Sequence, residues 1–161
     1  MYEKILIVVD GEPTSRVAIK EGVALAKIYA AEVVFFSVLP RYIAPMGDMP
    51  ALGLLSPDEF ARNASKDAER WLAAAAIVAD RAGVTHLAAT SAGADDAECV
   101  AAAARKRRCG LIVVSSVGRN AVVRLLTGSV IPGLITQATV PVLVCPQPRP
   151  TRASKRAQAA P

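Results

Sequence analysis

The apolar positions of this chain fall into two alternating kinds of segment. Ile5-Leu6-Ile7-Val8-Val9, Val33-Val34-Phe35-Phe36-Ser37-Val38-Leu39 and Leu111-Ile112-Val113-Val114 are almost unbroken apolar runs, the mark of strands buried on both faces. Between the first two, Ala18, Gly22, Leu25, Ala26 and Tyr29 recur at helical steps, giving one face of a helix over Thr14 to Ala30. Ser56-Pro57-Asp58-Glu59 reads as a second helix start. Ser56 caps, Pro57 suits the first helical position, and Glu59 completes a capping box. That alanine-rich helix should run to Ala82 and stop at Gly83. Val84 to Thr90 makes a weaker third strand. Asp95 or Asp96 then opens a helix and Arg105-Lys106-Arg107-Arg108 closes it, each charge suiting its end of the dipole. A last helix is predicted over Ser129 to Gln137 and a fifth strand over Val140 to Val144. Pro141 in that strand lacks an N–H, which argues for a sheet edge or chain end.

Strands alternating with helices build an α/β domain, a doubly wound, Rossmann-like parallel sheet with helices on both faces. Ligands of such sheets sit outside the carboxyl ends of the strands, where the strand order reverses. Asp10, Leu39 and Ser115 stand at those ends. Residues 40–56 hold three prolines and two glycines, an irregular excursion long enough to lid a site, contact a partner or move. From Pro146 the chain turns Pro/Ala/Arg-rich, so residues 147–161 read as a disordered tail behind a single domain of residues 1–146.

Charge first complicates this picture and then simplifies it. Residues 1–98 carry 9 Lys/Arg against 14 Asp/Glu, whereas residues 99–161 carry 10 Lys/Arg and no acid. Such asymmetry points to an anion partner, a basic tail, or both. Setting aside Arg149, Arg152, Lys155 and Arg156 of the tail leaves 15 basic against 14 acidic residues. A nearly neutral domain lacks the folded basic face that nucleic acid would require. No window is apolar enough to span a membrane, and the first residues have no signal-peptide layout. Three cysteines without a C-x-x-C pair fit neither a disulfide framework nor a zinc site, so a reduced, cytoplasmic setting is expected.

The stretch with chemistry in it is Ser115-Ser116-Val117-Gly118-Arg119, continuing to Gly128-Ser129-Val130. Gly118 and Gly128 let backbone approach an anion with no Cβ in the way. Gly128-Ser129 precedes a helix whose free N–H groups and dipole favour phosphate, and the Ser129 hydroxyl adds a donor. Arg119 and Arg124 can neutralise phosphate charge, a solvent-facing Arg124 being the alternative. The competing reading of Gly128-Ser129 is a plain helix cap after a long loop. Neither G-x-G-x-x-G nor G-x-x-x-x-G-K-[ST] is present.

This segment resembles the signature of the universal stress protein family, whose nucleotide-binding members carry Gly-x-x-Gly, nine residues, then Gly-Ser or Gly-Thr. Gly118, nine residues, Gly128 and Ser129 fit that spacing. Ile5 to Asp10 is similar to the family's first strand and its terminal Asp, and Val140 to Val144 to its closing Val-Pro-Val-Leu-Val strand. The resemblance implies a five-stranded parallel sheet of order 3-2-1-4-5 and a homodimer joined through the fifth strand. It also implies a site for ATP, with or without Mg²⁺, or another adenine nucleotide. Asp10 would lie at the adenosine end, Val38 would meet adenine through its backbone, and Gly118, Gly128 and Ser129 would hold the phosphates; Ser115, Arg119 and Val130 complete the candidate cofactor-binding residues. Ser115 replaces the motif's first Gly. If that position needs positive φ, strain of about 1 kcal/mol follows and could close the pocket. If it needs only smallness, Ser fits and can donate to phosphate.

Other candidate chemistry is thin. His86 has no nucleophile or carboxylate arranged around it in sequence, so a structural role is expected. Cys99 and Cys109 read as packing residues, as does Cys145, for which exposure at the end of an edge strand is the alternative. Arg105 to Arg108 reads as a solvated helix end, and Trp71 as a residue packing the long helix on the sheet. Without a Walker lysine, general base or paired-carboxylate metal site, a stress-response or signalling module is expected rather than an enzyme, with any hydrolysis slow. The alternative is a dimeric interaction protein whose nucleotide site Ser115 has disabled.

Overall fold

The computed structural model describes residues 2–42, 56–116 and 130–146. Along them run β1 (Lys4–Val8), α1 (Ser15–Tyr29), β2 (Glu32–Leu39), α2 (Pro57–Ala82), β3 (His86–Ala92), α3 (Asp96–Lys106), β4 (Leu111–Ser115), α4 (Val130–Gln137) and β5 (Val142–Cys145). These five strands pair in parallel in the order β3-β2-β1-β4-β5. The apolar runs occupy the centre: Ile5, Leu6 and Ile7 of β1 and Val33, Val34 and Phe35 of β2 are fully buried. A strand covered on both faces cannot alternate polar with apolar residues, which is why these segments read as continuous runs.

Alternate residues feed two separate cores. Ile5, Ile7, Val9, Val33 and Phe35 pack under α1 and α2, with Ala18, Val23, Leu72, Ala75 and Ala79. Leu6, Val34, Phe36, Ile112 and Val114 pack under α3 and α4, with Ala97, Val100, Ala104 and Leu134. Helix α2 has the expected start and stop. The Ser56 hydroxyl accepts from the Glu59 N–H, the Glu59 carboxylate accepts from the Ser56 N–H, and Gly83 ends the helix in the left-handed region. At α3 the cap is Asp95, whose carboxylate accepts from the N–H groups of Ala97 and Glu98. The basic helix end lies at the surface, where Arg105 meets Glu98 at 2.7 Å.

Three expectations shift. The third strand begins at His86 rather than Val84, because the buried Val84 donates its N–H to the Ala79 carbonyl and closes α2. Pairing with β2 then runs from Val33 opposite His86 to Leu39 opposite Ala92. The fifth strand begins at Val142, after Pro141, which still offers its carbonyl to the Ile112 N–H. β5 is an edge strand, one of the two placements for which Pro141 argued. Cys145 is nonetheless buried, its side chain turned into the α1/α2 core. His86 is structural among the described residues. Its Nε2 lies 2.9 Å from the Asp80 carboxylate and its ring 5.8 Å from that of Phe35. The expected lid-like excursion (except Pro40–Tyr42 and Ser56), the Gly118–Ser129 stretch and the tail of residues 147–161 lie outside the described residues.

Candidate functional site

Strand order reverses between β1 and β4. β1 leads through α1 to β2 on one side, while β4 on its other side is reached only through α3. Connections leaving in opposite directions open a crevice at the carboxyl ends of these two strands. The residues that line the break are Asp10, Gly11 and Thr14 after β1, and Ser115 and Ser116 at the end of β4. Val130 enters from α4, half-buried against the core beneath that helix. Val38, the last residue but one of β2, lies beside Ser91 of β3, one strand away from the break.

The turn after β1 is tightly specified. An Asp10 carboxylate oxygen accepts from the Glu12 N–H at 3.1 Å, and Gly11 sits at φ +75°. That backbone conformation disfavours any residue with a Cβ. A Cβ on Gly11 would also lie 2.1 Å from an indole carbon of Trp71, so the α2 side chain presses directly on the turn. The chain then enters α1 through Ser15, whose hydroxyl and N–H both donate to the Glu12 carbonyl.

Thr14 is the site residue that sequence reasoning missed. It occupies the N-cap position of α1, yet its hydroxyl caps nothing in its own helix. Thr14 Oγ1 lies instead 3.4 Å from Ser115 Oγ, across 101 residues of chain, and both residues are buried. A threonine ahead of a helix normally signals a cap. Only the partner strand reveals the other use. The pair joins the first turn of α1 to the end of β4 at the switch point.

The question raised by Ser115 is answered in part by its backbone. Ser115 is the last paired residue of β4, opposite Cys145, and is not among the left-handed residues, which are Ala30, Arg108, Gly11 and Gly83 in the described part of the chain. A serine therefore fits without backbone strain, and smallness is the requirement that remains. Ser116 continues with its N–H donating to the Cys145 carbonyl at 2.8 Å. Gly118, Arg119, Gly128 and Ser129 of the expected site lie outside the described residues.

Two other features offer little chemistry. An open hollow of about 420 Å³ lies between α3 and β3, lined by Phe36, Ala89, Cys99, Ala103, Lys106 and Arg107 among others. Ala89, Ala94, Ala102 and Ala103 line part of it, and its Glu98 is already paired with Arg105. The switch point instead brings the Thr14 and Ser115 hydroxyls together. No thiol is activated: burial pushes the Cys99 and Cys145 thiols up, and Cys109 up to about 11. Among the described residues no group of His, Cys, Asp and Glu could hold a metal ion, and no helix is long and apolar enough to cross a membrane.

The model of the universal stress protein family matches residues 1–146. The chain belongs to this family. A curated relative, the universal stress protein MJ0531 of Methanocaldococcus jannaschii, is 30% identical over 158 residues, covering 92% of this chain and 85% of the relative. A universal stress protein family structure from Burkholderia pseudomallei superposes with a TM-score of 0.71 at 24% identity, over 91% of this chain and 97% of that one. An Arabidopsis thaliana universal stress protein family structure with AMP bound gives 0.64 at 14% identity, over 94% and 97%. Other universal stress protein structures sharing the fold are complexes with cAMP and, from Archaeoglobus fulgidus, with dAMP. At such identities the superpositions establish a shared fold.

Proposed function

We propose that this universal stress protein binds an adenine nucleotide at the carboxyl ends of β1 and β4 and works as a signalling module rather than a catalyst. The observation that carries the reading is the Thr14–Ser115 approach. It places two buried hydroxyls and the start of α1 at the one point where this sheet topology opens a crevice. Family proteins solved with AMP, cAMP and dAMP support the adenine class. In this reading Asp10 holds the adenosine end, Val38 meets the base through its backbone, and Ser115 and Val130 flank the phosphates. Gly118, Arg119, Gly128 and Ser129 complete the phosphate site, with ATP, alone or with Mg²⁺, as the larger candidate ligand. The unpaired edge of β5 is the surface for a homodimer, Val140 to Val144 lying along it.

The ligand residues fit a nucleotide better than they fit turnover. Ser115 carries no backbone strain, and hydroxyls that already face each other can rotate to donate to a phosphate oxygen. Calorimetric titration with AMP and with ATP, each with and without Mg²⁺, tests the reading. Binding at micromolar to submillimolar nucleotide, lost in Gly128→Asp, is the expected result. No heat at millimolar nucleotide sinks it and leaves the dimeric interaction protein, with its site closed by the Thr14–Ser115 pair. Native mass spectrometry of the purified chain reads the dimer and any retained nucleotide in one measurement.

A further inference from the structure

Trp71 stands out once the site is located. It is the only tryptophan in the chain, it lies in the middle of α2, and the rest of that helix's buried face is Ala68, Leu72, Ala75 and Ala79. A large aromatic among alanines has a particular object here. The three nearest atoms to a Cβ built on Gly11 are all of the Trp71 indole, at 2.1 to 2.5 Å. Gly11 follows Asp10, and the Asp10 carboxylate is itself tied to the next residue's N–H. The indole also packs against the α1/α2 core while remaining partly exposed.

We propose that Trp71 is a positioning residue for the nucleotide site: its indole clamps the Asp10-Gly11-Glu12 turn in the left-handed conformation that fixes where the Asp10 carboxylate stands. This rests on the nucleotide reading above and assigns to α2, a helix remote in sequence, control over the adenosine end. A turn built on glycine has many accessible conformations when nothing bears on it. Binding then includes the cost of selecting one of them, and a wall supplied in advance by the indole removes that cost. The same contact makes Gly11 obligatory twice, by its φ and by the absence of space.

The test compares four chains by AMP calorimetry well below their melting temperatures: wild type, Trp71→Ala, Trp71→Phe and Leu72→Ala. Leu72→Ala removes a buried side chain from the same helix, and Leu72 supplies none of the three atoms nearest a Cβ on Gly11. Trp71→Ala is expected to weaken AMP about tenfold, with Trp71→Phe restoring most of it and Leu72→Ala leaving affinity unchanged. Trp71→Leu takes the place of the alanine variant if that one does not fold, with the same expectation. Wild-type affinity in the truncated variants, or equal weakening by Leu72→Ala, overturns the proposal. A wild-type chain that ignores AMP overturns the nucleotide reading itself. The clamp is then decided by hydrogen exchange at the Glu12 amide, which should speed up in Trp71→Ala and not in Leu72→Ala.

Discussion

The two faces of the sheet are built from the same strands but by different rules. Under α1 and α2, helices of 15 and 26 residues cover the sheet, and the core reaches from Val9 to Cys145. Among the described residues the opposite face is covered by α3 and α4, helices of 11 and 8 residues. They fall short at the β3 edge, where the hollow beside Phe36 stays open. Small residues compensate by letting the two short helices approach closely. A Cβ on Gly133 of α4 would stand 2.6 Å from Ala97 Cβ of α3, and Gln137 reaches across to the Asp95 carboxylate at 3.0 Å. The difference separates two duties. The long-helix face supplies stability and, through Trp71, a rigid wall for the turn after β1. The short-helix face sets where α4 begins, which is where the expected phosphate loop returns.

Neighbouring phenylalanines give the sharpest way to break that comparison. Phe35 and Phe36 are both buried in β2 but point to opposite faces. Phe35→Ala leaves a closed void and should cost about 3–5 kcal/mol of unfolding free energy. Phe36→Ala opens its void into the existing hollow, where water and neighbouring side chains can adjust, and should cost about 1 kcal/mol less. Urea unfolding of the two variants checks this, and equal losses would mean that the short-helix face is as closed as the long one.

A smaller loss is expected from Gly133→Ala. Neither the new Cβ nor that of Ala97 can rotate away, so α4 must move off α3. Overpacking of about 1–3 kcal/mol is set against about 1 kcal/mol gained in helix propensity, leaving a modest net destabilisation. The informative readout is binding. If α4 positions the nucleotide's phosphates, Gly133→Ala should weaken AMP more than Phe35→Ala does, although Phe35→Ala loses more stability. The reverse order would remove the short-helix face from the site.

How far the sequence reveals this molecule depends on whether the deciding physics is local. The start and stop of α2 were legible because Ser56, Pro57, Glu59 and Gly83 act within one turn of themselves. The buried strands were legible because coverage on both faces leaves no polar positions. Val84 misled, since an apolar residue closing a helix looks the same as one opening a strand. Asp10 and Ser115 could be placed at strand ends from the pattern alone. The Thr14–Ser115 and Gly11–Trp71 contacts could not, because each joins segments 60 or more residues apart in sequence and neither residue type announces its partner. Ser115 also showed the limit of motif reading. The family's glycine left positive φ and smallness both open as its reason, and the strand backbone has no positive φ.

The smallest effect concerns the caps, one on each face. Hydrogen bonds from the Ser56 backbone and hydroxyl hold the Glu59 carboxyl below its ordinary range. At Asp95 the Gln137 amide, followed by the Glu98 and Ala97 N–H groups, does the same. A carboxyl whose pKa is lower in the folded chain stabilises above its unfolded value, and that contribution is lost as pH falls through the folded value. Both caps should therefore weaken together from the ordinary carboxylate range downward. Their consequences differ, because Glu59 closes a box within one helix while Asp95 also ties α3 to α4. Glu59→Gln keeps the reach of the side chain and should leave the acid limb of a melting-temperature profile nearly as steep. Asp95→Asn should flatten it more, and hydrogen exchange should rise at Ala97 and Glu98 on acidification of the wild type before it rises at the Glu59 amide. Equal flattening by both variants would show that the Asp95–Gln137 bridge adds nothing beyond an ordinary cap, and that close packing at Gly133 alone joins the short helices.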